Sequence, residues 1–237
     1  MNDMMRLIPE VSFNIFYLIF IWALVYKMYR KTRYRSDSDR GVGYLLRLGF
    51  LVLAIGDTGH VGFRLWAYAL GSVDSSVNII GMNLPLIGSG ALSTAILVTV
   101  FYLLMVEAER RRFNQSWNPI YILLMLTGLA RFIVMALPGN EWGNSVPPAE
   151  MSLYRNIPLT VLGLGLGILM LVHARRKGDR VFTYLSILIF ISYAFYIPVI
   201  LFVQKIPMIG MLMIPKTIAY LLMALSVYRN FFKPQQR

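Results

Sequence analysis

Apolar residues are grouped along the chain in seven blocks. Each block is close to the roughly 20 residues that a helix needs to cross the hydrocarbon core of a bilayer. The blocks lie near Val11–Met28, Leu45–Leu70, Leu86–Val106, Ile120–Leu137, Leu153–Val172, Val181–Val203 and Ile206–Val227. Backbone groups cannot stay unpaired in lipid, so each block is predicted to be helical. The pattern predicts an all-α, polytopic membrane bundle of seven transmembrane helices, with residues 1–237 forming a single domain.

The composition agrees with a membrane protein. Hydrophobic residues make up 57% of the 237 residues and charged residues only 14%, whereas soluble domains carry roughly 25% charged residues. The chain has no cysteine, which excludes disulfides and cysteine nucleophiles. Its two histidines, His60 and His173, lie in different segments of the chain, so we expect no metal site and no cofactor.

The net charge of +12 is concentrated in the connections after blocks one, three and five and in the C-terminal tail. These cations are Lys27, Arg30, Lys31, Arg33, Arg35, Arg40, Arg110, Arg111, Arg112, Arg175, Arg176, Lys177, Arg180, Arg229, Lys233 and Arg237. The opposite side offers only Arg6, Arg155 and Lys205. Because positive loops stay in the cytoplasm, the N-terminus is predicted outside and the C-terminus inside. The excess charge is therefore a topology signal, and we expect no nucleic-acid partner.

Block two carries four polar side chains at its centre and outer half. Asp57, His60, Arg64 and Tyr68 follow one another at spacings of three, four and four residues, which place all four on one helical face. Charged groups within a span are costly and usually mark a functional cavity or an internal pair. This face is therefore predicted to line an interior site.

Other blocks bring polar groups to the same depth range, from the midplane to the outer leaflet. They are Arg131, Arg155, Tyr193, Tyr196, Lys216 and Tyr220. Together with Asp57, His60 and Arg64 they form the predicted ligand-binding set. A buried cation needs a partner, and Asp57 can pair with only one, for which Lys216 is the candidate. The remaining positive charge is left for an anionic ligand, a lipid headgroup, water or carbonyls.

Some of these residues can also be explained by structural roles that involve no specific ligand. An Asp57–Lys216 pair with tyrosine hydroxyls can specify helix packing alone. His60 can be a hydrogen-bonded core residue, and Arg64 and Arg155 can extend outward to lipid phosphates. The outer loop that contains Trp142 is either a cap over an outward-facing cavity or a connector with an interfacial anchor.

Small residues and one proline affect helix packing. Gly56, Gly59 and Gly62 occupy other faces of block two, and Gly163 and Gly167 form a small-xxx-small pair in block five. Such positions let neighbouring helices approach closely. Pro215 removes a backbone donor beside Lys216, and a kink is expected there.

Four stretches carry a resemblance when taken together. They are GDTGH at 56–60 with Arg64, YRNIP at 154–158, AFYIP at 194–198 and GMLMIPKT at 210–217. The combination resembles a family of uncharacterised bacterial seven-helix membrane proteins over most of the chain. It implies a multi-pass protein of the bacterial inner or plasma membrane, and no activity.

A second, architectural resemblance is to microbial rhodopsins. Seven helices, an outside N-terminus, a lysine midway along helix seven and an aspartate at similar depth are similar to that family. It would imply retinal on Lys216 with Asp57 as counterion. Rhodopsins place their counterion on helix three, whose apolar body here has no acid before Glu107.

Three hypotheses follow for the function. The first, which we favour, is a non-enzymatic sensor or transporter-like protein whose central cation-rich pocket binds a small anionic or lipid-like ligand. The second is an intramembrane hydrolase or transferase acting on lipids, with Asp57 and His60 as general base and Ser93 as nucleophile. The third is an accessory subunit whose polar interior only sets packing. Membrane lipids are the expected surroundings, and the oligomeric state stays open.

Overall fold

The structure, a computed structural model, describes residues 3–30, 39–72, 74–79 and 82–233. Over these ranges it has seven helices that are long and apolar enough to cross a membrane. Their bounds are α1 Asp3–Arg30, α2 Arg40–Ala69, α3 Leu86–Arg112, α4 Pro119–Ala136, α5 Ala149–Lys177, α6 Arg180–Phe202 and α7 Met213–Val227. The predicted bundle of seven helices that are long and apolar enough to span a membrane is confirmed. Four predicted cations, Lys31, Arg33, Arg35 and Arg237, lie outside the described residues.

Local sequence signals explain several of the helix ends. The Asn118 side chain accepts hydrogen bonds from the first backbone N–H groups of α4, and Pro119 occupies the first helical position, where no backbone donor is needed. Gly178 ends α5 in the left-handed conformation, with φ of 67°, which glycine adopts without strain. Asp179 then caps α6 by accepting from the Phe182 N–H. Polar connections therefore stop the helices close to the ends of the predicted blocks.

A short β-hairpin in the connection between α2 and α3 was not predicted. Strands β1 (Ser76–Ile79) and β2 (Met82–Pro85) pair antiparallel, with Ser76 opposite Pro85 and Ile79 opposite Met82. The hairpin satisfies backbone groups that would otherwise be unpaired at the membrane edge. We call this side of the bundle the hairpin end, and the side where α3 and α5 end and α4 and α6 begin the basic end.

The seven helices form a closed ring in which sequence neighbours pack together. Helix α1 contacts α2 and α7, and α3 also contacts α5. Large buried side chains such as Phe50, Phe101, Tyr102 and Phe182 fill the interior. The opposite faces are exposed and apolar, for example Leu123 and Ile133 of α4. Because such faces are stable only in lipid, the bundle has the surface of a multi-pass membrane protein.

Helices α2 and α3 make the most extensive helix pair. A Cβ added at Gly56 would stand 2.9 Å from the Cβ of Leu97, and one at Gly59 would stand 2.5 Å from the Ser93 Oγ. The predicted close approach is thus confirmed for Gly56 and Gly59. It is wrong for Gly62, which has no atom within 4 Å of such a Cβ.

The last span is assembled from three kinds of helix. A 3₁₀ segment, Pro207–Leu212, leads into α7, and a π-helical turn, Tyr228–Phe232, follows it. Pro215 lies in the first turn of α7, where its missing N–H breaks no hydrogen bond of the helix. The predicted proline kink is therefore wrong, because the change of geometry occurs before Pro215, where the 3₁₀ segment ends.

Candidate functional site

Asp57 of α2 faces α1 and α3 in the bundle interior. Its Oδ2 accepts a 2.5 Å hydrogen bond from the Tyr17 hydroxyl, and its Oδ1 accepts a 3.1 Å bond from the Thr94 hydroxyl. The glycines at the α2–α3 contact bring Thr94 within reach. Both oxygens of the carboxylate are thus bonded to hydroxyl groups of neighbouring helices.

Lys216 of α7 lies over tyrosine rings. Its Nζ is 4.1 Å from the ring centroid of Tyr196 and 5.7 Å from that of Tyr220. Asp57 and Lys216 are near enough to interact electrostatically, but no ion pair within 4 Å joins them in the described part of the chain. The predicted pairing is therefore not a direct salt bridge. Asp57 is held by hydroxyls, and the aromatic faces stabilise the ammonium group by cation–π attraction.

Four tyrosines surround this position. Tyr220 and Tyr102 share a 2.8 Å hydrogen bond, and Tyr193 donates to the Leu159 carbonyl at 2.8 Å. Tyr196 donates to the Asn156 Oδ1 at 2.9 Å. The structure therefore brings the predicted Tyr193, Tyr196 and Tyr220 together with Lys216. Tyr68, which lies one turn beyond Arg64 and two turns beyond His60 on α2, is not among these contacts.

Arg131 and Arg155 lie between this cluster and the hairpin end. Arg131 is only 2% exposed, and it donates to the Arg155 carbonyl at 3.0 Å and to the Thr99 hydroxyl at 2.9 Å. Arg155 is 8% exposed, and its guanidinium donates to Asn140 at 3.3 Å and lies 4.5 Å from the Trp142 ring centroid. The alternative that Arg155 extends to lipid phosphates is therefore wrong, because Trp142 covers it.

The loop between α4 and α5 closes over these arginines. The Trp142 indole donates to the Met135 carbonyl at 3.0 Å, and its own carbonyl occupies the space that a side chain at Gly88 would need. In the structure the loop covers the two arginines, with Trp142 packed on Arg155.

His60 has an unsatisfied nitrogen. Its Nδ1 is buried and has no hydrogen-bond partner among the described residues. Ser93 lies against Gly59, and no hydrogen bond joins its hydroxyl to His60 within the described ranges. The alternative of a Ser93–His60 catalytic pair thus has no assembled geometry here. Arg64 is half-buried one turn further along α2.

Sequence reasoning missed Tyr17 and Tyr102 in the interior. Tyr17 is 2% exposed and bonds Asp57, and Tyr102 is fully buried and bonds Tyr220. Their positions close to the middle of spans one and three were the available signal. Tyrosine is common in apolar cores, however, and only the neighbouring helices reveal a polar partner.

A second polar cluster near the basic end was also missed. Glu109 is fully buried, and it accepts a 2.6 Å hydrogen bond from the Tyr121 hydroxyl and lies 2.6 Å from the His173 Nδ1. Glu109 precedes three arginines in the sequence, so the sequence pattern grouped it with an exposed charged connection. Within the described residues no group of three or more histidines and acids is arranged to hold a metal ion.

Comparisons with protein-family models, with curated proteins and with solved structures find no significant match to this chain.

Proposed function

We propose that this protein is a multi-pass protein of the bacterial inner or plasma membrane, with its N-terminus outside, that binds a small anionic or lipid-like ligand in its interior. The role is that of a sensor or transporter rather than an enzyme. The single observation that carries the proposal is the charge imbalance of the interior. Lys216, Arg131 and Arg155 have no carboxylate within 4 Å in the described part of the chain, and the nearby Asp57 is bonded to Tyr17 and Thr94.

The chemistry of the site suits an anion. Burying a cation without a partner is costly, and the aromatic faces beside Lys216 recover only about 1–2 kcal/mol. An anionic group near Lys216 would offset the remaining cost of burying its positive charge. The unpaired His60 Nδ1 adds a hydrogen-bonding group that a ligand can use.

Native mass spectrometry of the detergent-purified protein tests the proposal. Wild type is compared with Lys216→Met, which replaces the buried ammonium by an apolar side chain of similar length. The matched control is Lys205→Met, because Lys205 is exposed in the connection between α6 and α7. We expect a discrete bound species on wild type and on Lys205→Met, and its loss from Lys216→Met.

The outcomes separate the hypotheses. The same bound species on wild type and on a folded Lys216→Met protein would overturn the proposal. A covalent retinal-sized adduct on Lys216 would favour the opsin-like alternative. Only heterogeneous bulk lipid on every variant, together with a higher stability of Lys216→Met, would favour the accessory subunit whose polar interior only sets packing.

A further inference from the structure

The basic end has a cleft between the α3–α4 connection and the α5–α6 connection. Its volume is about 580 Å³. Arg112, Phe113 and Asn114 form one side, and Lys177, Asp179 and Arg180 form the other. The cleft is separate from the interior site around Lys216, which lies on other segments of the chain.

An ion pair joins the two sides of this cleft. Arg112 donates to Asp179 at 2.8 Å and also bonds Asp39. Asp179 in turn caps α6 through the Phe182 N–H at 3.0 Å. These contacts tie together the ends of three helices across the cleft, and Arg112 is fixed by two carboxylates.

Phe113, the aromatic residue of the cleft lining, packs on His173 of the buried Glu109 cluster and on Phe182. The Phe113 ring lies 5.7 Å from the His173 ring and 5.4 Å from the Phe182 ring, measured between centroids. His173 is bonded to Glu109 below it.

Among the residues that the structure describes, the acids of this end are already bonded, whereas two cations of the cleft have no acidic partner. Glu107 binds Arg110 and Arg111, while Asp39 and Asp179 bind Arg112. In the described ranges no carboxylate lies within 4 Å of Lys177 or Arg180. Both side chains are exposed at the rim of the cleft.

From this arrangement we propose that the cleft binds a phosphate monoester through Lys177 and Arg180, as the headgroup of an anionic phospholipid or as a free phosphate ester. The two cations stand at the ends of spanning helices, which is the depth of lipid headgroups. Basic pockets between transmembrane helices recognise anionic headgroups at this level. Arginine and lysine together supply a planar set of donors and a point charge for phosphate oxygens.

Binding of dioctanoyl phosphatidic acid to the purified protein in a neutral detergent tests the proposal. The affinity is measured for wild type, for Lys177→Gln/Arg180→Gln and for Arg175→Gln/Arg176→Gln. The second double variant is the matched control, because Arg175 and Arg176 are equally charged and exposed in the same stretch but do not line the cleft. We expect the cleft variant to bind about tenfold or more weakly and the control to stay within about twofold of wild type.

Two further ligands identify the source of the phosphate. Glycerol 3-phosphate presents the same headgroup without acyl chains, and dioctanoyl phosphatidylcholine presents the chains with a zwitterionic headgroup. Binding of glycerol 3-phosphate as tight as that of the lipid, with the same dependence on Lys177 and Arg180, would assign the site to a free phosphate ester. Much weaker binding of glycerol 3-phosphate would assign it to a lipid.

Three results would overturn the proposal. They are equal losses in both double variants, which would indicate unspecific attraction to the basic end, equal binding of phosphatidic acid and phosphatidylcholine, and no loss in the cleft variant. Lys216→Met serves as a separate control, and it should leave phosphatidic acid binding at the cleft unchanged. Failure of the interior ligand site and failure of this cleft are therefore distinguishable.

Discussion

Glu107 and Glu109 lie two positions apart on α3 and face different surroundings. Glu107 is half-buried at the basic end, with 15% of its side chain exposed, and pairs with Arg110 and Arg111. Glu109 is fully buried and is bonded to Tyr121 and His173 from two other helices. A fully buried carboxylate can bond only to its protein partners, whereas a partly exposed one can also bond to water. Removing the buried glutamate should therefore lower the free energy of unfolding more than removing the partly exposed one.

We expect Glu109→Ala to lower the free energy of unfolding by roughly 2–5 kcal/mol, because Tyr121 and His173 lose a shared buried partner. Glu107→Ala is the control and should cost about 1 kcal/mol or less, as an ion pair open to water does. Unfolding in mixed detergent and dodecyl sulfate micelles, followed by circular dichroism, measures both. Equal costs would contradict the assignment of Glu109 as an anchor between helices.

The interior residues show what a sequence can predict at this level. Asp57, His60 and Lys216 could be identified because ionisable groups in an apolar block are rare and their depth follows from counting along the helix. The partner of each group could not, since the rotation of α1 and α3 about their axes decides that Tyr17 and Thr94 reach Asp57. The sequence therefore predicted a carboxylate partner for Lys216, whereas in the structure Lys216 lies over tyrosine rings.

The pairing of α2 with α3 depends on glycines at the contact. Replacing such a glycine by alanine adds a methyl group, which clashes at a packed position and not at an open one. On α2, a Cβ at Gly56 would be 2.9 Å from the Leu97 Cβ and 3.4 Å from the Thr94 Cα, while Gly62 has open space. The clashing atoms belong to or adjoin the backbone of α3, which cannot move away alone. The α2–α3 distance would have to increase.

Gly56→Ala is therefore expected to lower the free energy of unfolding by about 1–3 kcal/mol relative to Gly62→Ala. Both changes give the same gain in helix propensity, up to about 1 kcal/mol, so their difference isolates the clash. The measurement is the same unfolding titration, with Gly62→Ala at or slightly above wild type. If the two variants were equally stable, the close approach of α2 to α3 would be wrong.

Helix bounds followed closely from the apolar blocks, whereas departures from regular helix did not. The hairpin at Ser76–Pro85 has only four residues in each strand. Such short strands are too short to show a clear alternation of polar and apolar residues in the sequence. The 3₁₀ segment Pro207–Leu212 has the same apolar composition as a helix, because lipid selects for hydrophobicity and not for helix type. Pro215 was therefore assigned a kink although it lies in the first turn of α7.

The orientation of the bundle depends on the asymmetry between its two ends. Arg110, Arg111 and Arg112 end α3 at the basic end, whereas the loop between α4 and α5 at the hairpin end has no lysine or arginine before Arg155. Cations beside spanning helices resist transfer across the membrane. If the N-terminus is outside, the proposed phosphate cleft at the basic end faces the cytoplasm and the hairpin end faces the outside.

Labelling of single cysteines tests this orientation without any background, because the natural chain contains no cysteine. Asn144→Cys lies in the exposed α4–α5 loop at the hairpin end, and Ser116→Cys lies in the exposed α3–α4 loop at the basic end. In intact spheroplasts a membrane-impermeant maleimide should label Asn144→Cys at once and Ser116→Cys only after permeabilisation. The reverse pattern would place the N-terminus inside and the basic end outside, against the rule that positive loops stay cytoplasmic. Because the two sites are loops of similar exposure on either side of α4, a difference in labelling reports the side of the membrane and not the local structure.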